Sequence, residues 1–291
     1  MSDKPELEFT GERFTPECVR EIAYEHWHRY AWAAEMVAGK RVLDAACGEG
    51  YGSHLLSARA EQVTGLDVSE QTVEHARQRY RADNLKFECG DATQLPHEDN
   101  SFDVVVSFET LEHLEAQDRL LTEFRRVLVP DGFLLVSSPD RKTYSDETGY
   151  DNPFHVRELY RDELEDLIGR HFPVFRLWGQ RLMFVSALWQ LDDGAGTQCL
   201  IDDAGKVEAS NRPTFAPVYF IAAAAAEPEH LPPFPAHSLY SDRAESVYSH
   251  YHDVVRKHIQ AENQLSRRDA EIRQLREMLA RPWWRRLFER S

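Results

Sequence analysis

The stretch "VLDAACGEGYGS", Val42 to Ser53, decides how this chain is read. An apolar run ends at Asp44, and glycines follow at alternate positions, Gly48, Gly50 and Gly52. Glycine at that density lets a backbone turn tightly and come close to a ligand. Working outward, strand-like runs alternate with helical patterns. A helix is expected near 50–60. "QVTGLDV" (62–68) precedes "SEQTVEHARQRYR", in which Ser69 is placed to cap a helix. "LKFECGD" (85–91) leads into "SFDVVVSFE" (101–109), a helix is expected over 115–128, and "GFLLVSS" (132–138) follows. Strands alternating with helices predict an α/β, doubly wound, Rossmann-like sheet. Upstream, "EIAYEHWHRYAWAAEMV" carries apolar and aromatic residues at helical spacing and closes at Gly39, so residues 1–40 are expected to be a helical lead-in or lid.

The totals narrow the classes. With 291 residues, 42% hydrophobic and 29% charged, the chain suits one large soluble domain plus an appendage. No apolar leader opens it, and no window approaches a membrane span, so a cytoplasmic location is expected. Its four cysteines, at 18, 47, 89 and 199, fit no zinc or redox spacing, and no metal is expected. The net charge of -16 is uneven: from Arg256 onward ten Lys and Arg stand against five Asp and Glu. An acidic body with a basic tail argues against nucleic acid at the body.

The glycine turn lacks the Gly-Lys-Ser/Thr of a phosphate loop, and its G-x-G-x-G spacing departs from a dinucleotide fingerprint. Asp44 and Glu49 flank it. Two carboxylates oppose a pyrophosphate and suit a cationic ligand such as S-adenosylmethionine. Asp67, 19 residues after Gly48, is placed to accept ribose hydroxyls. Asp91, followed by Ala92 in "CGDATQLP", can face an adenine edge. The fourth strand opens onto Phe108, Glu109, Glu112 and His113.

In that order and spacing, from about Val42 to Ser138, the motifs resemble the class I S-adenosylmethionine-dependent methyltransferases. The resemblance implies a seven-stranded sheet whose last strand is antiparallel, supplied here by "APVYFIAAAA" (216–225). It implies Ala46, Gly48 and Gly50 at the methionine end, Asp67 and Val68 at the ribose, Asp91 and Ala92 by the adenine, and Phe108 beneath the cofactor. Asp44, Glu109 and His113 complete the expected cofactor set, with Arg29 and Tyr30 closing over it and Arg29 meeting its carboxylate.

A narrower resemblance concerns the acceptor. "GERFTPE", "EHWHRY", "TGYDNPFHVRELY" and a terminal coiled coil look like methyltransferases of bacterial O-antigen and surface-polysaccharide assembly, of the chain-capping type without the kinase domain. It implies an O-methylated sugar hydroxyl. His155 in "NPFH" is the candidate general base, with His113 its competitor. Tyr144, Tyr150, Asn152, Phe154 and Arg13 are the candidate acceptor contacts. A terminal sugar phosphate, a small molecule or natural product, and a non-catalytic scaffold for polysaccharide enzymes stay open.

The methyltransferase domain is expected over 41–227, with an insertion at 180–213 and a proline-rich linker at 228–242. Residues 243–280 then read as one helix with a seam at Val247, Tyr251, Val254, His258, Ala261, Leu265, Arg268, Ile272, Leu275 and Leu279. Eight of these ten are apolar or aromatic, which predicts a homo-oligomeric coiled coil. The closing "RPWWRRLFERS" mixes aromatic and basic residues, as a peripheral contact with the inner face of a membrane or with a glycosyltransferase would need.

Overall fold

The computed structural model describes residues 21–185, 199–203 and 206–280. They form two compact units that divide after Tyr240. The first begins with helix α1 (Glu21–Ala34) and alternates β1 (Arg41–Ala45), α2 (Tyr51–Ser57), β2 (Gln62–Asp67), α3 (Glu70–Arg79), β3 (Leu85–Cys89), β4 (Phe102–Ser107), α4 (Gln117–Val127), β5 (Leu128–Pro139), α5 (Arg161–His171) and β6 (Val174–Gln180). A hairpin of β7 (Cys199–Asp203) and β8 (Lys206–Ser210) precedes β9 (Tyr219–Ala225). The second unit contains helix α6 (Ser246–Ala280).

Seven strands make one sheet in the order β3-β2-β1-β4-β5-β9-β6, and β9 runs antiparallel to both its neighbours. This is the doubly wound sheet with an antiparallel last strand. Both faces are covered. Along the sheet, side chains alternate between the two. Val105, Leu134 and Val136 join Leu120, Leu121 and Phe124 of α4 and Leu164, Leu167 and Ile168 of α5. Val104, Val106, Phe133 and Leu135 join Tyr30, Ala33 and Val37 with Tyr51 and Leu56 of α2.

The alanine run of β9 would serve a helix well by propensity. It is a strand because β5 and β6 pair with it residue by residue over Tyr219 to Ala225, and its alanines alternate between the two core faces. Ser69 caps α3, its Oγ accepting from the Thr72 amide at 3.3 Å.

Two expectations change. The proline-rich stretch 228–242 is not a free linker over its length. Phe234 packs against Trp32 and Trp178 with ring centres 5.2 and 4.9 Å away, and Tyr240 meets Tyr24 edge-on. Large aromatic area outweighs the proline content. The terminal helix starts at Ser246, where the expectation placed it at 243. Arg13, Cys18, part of the 180–213 insertion and the tail 281–291 lie outside the described residues. Among those described, Cys47, Cys89 and Cys199 are unpaired, and no helix is long and apolar enough to cross a membrane.

Glycine in the opening motif has a packing duty. A Cβ on Gly52 would fall 2.2 to 2.6 Å from the ring carbons of Tyr30. We expect Gly52→Ala to cost about 1–3 kcal/mol of stability through this overpacking, read as a lower urea midpoint; an unchanged midpoint would show that Tyr30 does not hold this seat.

Candidate active site

The site is built where the parallel strands end. β1 stops at Ala45, and the chain turns through Ala46 (φ 59°), Gly48 (φ 56°) and Gly50 (φ 93°) before α2 begins. Ala46 bears the strain of a left-handed backbone that glycine would adopt freely, and such residues gather at functional sites. The Gly48 amide donates to Asp67 Oδ2 at 3.0 Å, and the Ser69 amide donates to Oδ1 at 2.9 Å. Asp67 therefore ties the glycine turn to the end of β2. Beside it, Val68 is 74% exposed, an apolar surface at the strand edge.

The two carboxylates that frame the turn are buried and partnered within the protein. Glu49 is buried and turned into the protein, 3.0 Å from both Arg79 Nη1 and His75 Nε2, with Tyr80 donating to it at 2.6 Å. Asp44 is fully buried under the turn. Tyr30 donates to its Oδ1 at 3.0 Å and Ser53 to its Oδ2 at 2.5 Å. The argument that these charges attract a cation is thus corrected: they hold α1, α2 and α3 in place. Tyr30, expected to close over a cofactor, is a buried strut to Asp44. Phe108, expected beneath the cofactor, is also buried and meets Tyr30 edge-on at 5.1 Å.

Arg29 does not stand open to solvent either. It is 2% exposed, donates to Gln180 Oε1 at 2.9 Å and lies 3.5 Å from Glu109 Oε1. Its Nε and Nη2 are buried without a hydrogen-bond partner. Buried donors left unmade are costly, and a carboxylate is one group able to satisfy them. Glu109 itself has φ 54°, and its carboxylate accepts from Ser137 Oγ at 2.6 Å. Farther along the edge, Asp91 Oδ1 accepts from both the amide and the hydroxyl of Thr93 at 2.7 Å, which keeps its pKa below the usual carboxylate range, and Ala92 is buried beside it.

A second cluster lies beyond β5. The segment after it is pinned to the short helix Leu111–His113, because the amides of Val156 and Arg157 donate to the Glu112 carbonyl at 2.7 and 3.0 Å. His113 Nδ1 is 3.0 Å from the Phe154 carbonyl; a carbonyl only accepts, so that nitrogen carries the proton. His155 Nδ1 is 2.6 Å from Glu158 Oε1, and both side chains are under 10% exposed. The carboxylate orients the imidazole with Nδ1 as donor and Nε2 as the basic nitrogen. The two imidazoles meet edge-on at 5.1 Å, and Tyr144 stacks on His155 at 5.3 Å. Asn152 donates to the Tyr144 hydroxyl at 3.3 Å, while Tyr150 and Phe154 are about half exposed. The structure thus brings Tyr144, Asn152, Phe154, His155 and His113 together. Sequence reasoning misses Glu158, although the His-x-x-Glu spacing is its signal. Glu112, His113 and His155 also bring one donor atom each within 4.8 Å of one another, a set able to take a divalent cation as well as a proton.

Burial raises the Asp44 pKa to about 7 against the lowering effect of its two hydroxyl donors. An acid whose pKa is higher folded than unfolded binds more protons in the folded state between the two values. Its contribution to stability is therefore present at about pH 4 and lost as pH rises toward 7. Asp44→Asn should flatten that part of the profile between about pH 5 and 7 in denaturant titrations; parallel profiles for the two proteins would contradict the burial account.

Comparison with known proteins bears on the domain and its fold. Residues 43–136 match a methyltransferase domain family. A Mycolicibacterium smegmatis protein named as a probable S-adenosylmethionine-dependent methyltransferase is 44% identical over 167 residues, 56% of this chain and 63% of that one. A 27-O-demethylrifamycin SV methyltransferase of Amycolatopsis mediterranei is 40% identical over 122 residues, 38% of this chain and 45% of its own. A phthiotriol/phenolphthiotriol dimycocerosates methyltransferase of Mycobacterium ulcerans is 40% identical over 111 residues, 38% of this chain and 41% of its own. The chain spans less than two thirds of the length of these curated relatives. The crystal structure of the YcgJ protein of Bacillus subtilis shares the fold, with a TM-score of 0.51 at 21% identity over 69% of this chain and all of that one. The segment from β1 to β5 is a class I S-adenosylmethionine-dependent methyltransferase domain, an enzyme domain whose cofactor is S-adenosylmethionine.

Proposed function

We propose that the whole protein transfers the methyl group of S-adenosylmethionine to a sugar hydroxyl of a bacterial surface polysaccharide. The observation that carries the oxygen-directed chemistry is the Glu158–His155 pair at the acceptor end of the sheet. Methyl transfer is an in-line displacement on an activated donor, so positioning does most of the work. A sugar hydroxyl is a weak nucleophile, and His155 Nε2 takes its proton as the bond to the methyl carbon forms. Glu158 stabilises the imidazolium that results. His113 frames the same space.

On the cofactor side, Asp67, Val68, Asp91 and Ala92 hold the nucleoside, and the buried donors of Arg29 take the carboxylate. S-adenosylmethionine, when bound, supplies the electrophilic methyl group. The half-exposed Tyr150 and Phe154 suit the apolar faces of a sugar ring. The glycan acceptor rests on these aromatics and on the quoted motifs "GERFTPE" and "TGYDNPFHVRELY".

A sugar-phosphate acceptor would draw instead on arginines near the site. It wants available guanidinium groups. Arg141 lies over the Tyr160 ring and near Asp146, and Arg157 lies near Glu163. A second reading, a small-molecule or lipid acceptor, is favoured by relatives named for rifamycin and phthiotriol substrates. The proposal places the enzyme in the cytoplasm, meeting a lipid-linked glycan through the basic, aromatic residues of 281–291, and rests there on composition alone.

Asp67→Ala should weaken S-adenosylmethionine binding by roughly 10- to 100-fold in calorimetry. An unchanged affinity would remove Asp67 from the cofactor site; an unchanged melting temperature shows that any loss arises at the ligand. His155→Ala should lower turnover by about 10² to 10⁴ while leaving cofactor affinity intact. Glu158→Gln should lower turnover less and shift its pH profile. Added chelator should leave turnover unchanged. Turnover untouched in His155→Ala, or abolished by chelator alone, would overturn the assignment of His155 as base.

A further inference from the structure

Helix α6 is 35 residues long; Val247 at its start is buried, and beyond it the helix presents an apolar seam to solvent. Val254, Leu265, Ile272, Leu275 and Leu279 on that seam are 45 to 68% exposed. An isolated helix gains nothing by displaying five large apolar side chains along one seam, whereas two such helices bury them against each other. We propose that α6 pairs with α6 of a second copy of this chain, parallel and in register, as a two-stranded coiled coil.

Charge selects that occupant and that direction. Tyr251, His258, Leu265, Ile272 and Leu279 occupy one seam position, and Val247, Val254, Ala261, Arg268 and Leu275 the other. The residues flanking the seam then meet across a parallel pair five positions apart. Lys257 faces the second copy's Glu262, and Glu271 faces its Arg276. A third pair, Gln264 with Asp269, is neutral against acidic, and a fourth, His250 with Val255, sets an imidazole against an apolar side chain. No like charges meet among these four pairs. An antiparallel pair centred near Leu265 keeps one attraction, Lys257 with Glu271, but sets Glu262 against Asp269.

The two polar seam residues fit two strands. Arg268 Nη1 lies 3.7 Å from Glu271 Oε2, and His258 Nε2 lies 3.1 Å from Glu262 Oε1, so both heads reach carboxylates beside the seam. Long basic side chains can keep their charge in water while their stems cover apolar surface. A dimer leaves that exit open. Polar seam positions of this kind also fix register at some cost in stability.

Sedimentation of the full chain at tens of micromolar should give the mass of two copies. Lys257→Glu turns two symmetry-related attractions into repulsions and should raise the dissociation constant roughly tenfold. Adding Glu262→Lys in the same chain should restore it. Leu275→Cys should form a disulfide-linked dimer under mild oxidation that the wild type does not form, because parallel in-register strands bring the two copies of that position together. Calorimetric S-adenosylmethionine binding, retained in every variant, shows that each is folded. A monomeric wild type, a mass of three or more copies, a double variant that stays as weak as the single one, or no cross-link at position 275 would each overturn the proposal.

Discussion

The carboxylate of Asp44 is the constraint on which the rest of this site depends. It lies near the end of β1, beside the central strand of the sheet, fully buried, where an unpartnered charge would not survive. Two hydroxyl donors offset its desolvation, Tyr30 from α1 and Ser53 from α2. One group thereby joins the lead helix, the first strand and the helix after the glycine turn. Gly52 completes the arrangement by leaving room for the Tyr30 ring. Because α1 is held this way, Arg29, one residue before Tyr30, is carried to Glu109 at the end of β4 and to Gln180 at the end of β6.

That frame divides the labour. Strand ends are rigid, so the residues expected to hold the methyl donor sit on elements whose backbone is fixed on both sides. The groups proposed to meet the acceptor come from the segment after β5, which the Glu112 carbonyl pins through two backbone bonds. A loop held at its root can vary in its exposed residues, here Tyr150 and Phe154, without disturbing the donor site. On the proposed reading, a constant donor site and a changeable acceptor surface would let one fold act on chemically different substrates.

The sheet is legible in the sequence because its signals are redundant. Apolar runs such as "FDVVVS" alternate with capped helical patterns, and β9 stands at the place in the order where an antiparallel strand is needed. The site is legible as a set of residues but not as a set of roles. Asp44 and Glu49 announce negative charge beside the glycine turn, yet sequence does not show that Tyr30, Ser53, Arg79 and His75 consume it. Tyr30 and Phe108 read as ligand contacts because aromatic residues serve cores and binding sites equally well. The 228–242 stretch reads as a linker by its prolines, whereas its aromatics decide where it lies. Glu158 escapes notice because a carboxylate three residues after a histidine gains meaning only once the backbone turns between them.

The central claim joins one donor to one kind of acceptor, and its product tests it most directly. The protein is incubated with methyl-labelled S-adenosylmethionine and lipid-linked or free oligosaccharide from its host, and the label is located by fragmentation mass spectrometry. The account predicts a methyl ether on a sugar ring oxygen. Label confined to a phosphate, to the lipid or to a non-carbohydrate acceptor, or no transfer at all by protein that binds the cofactor, would contradict it.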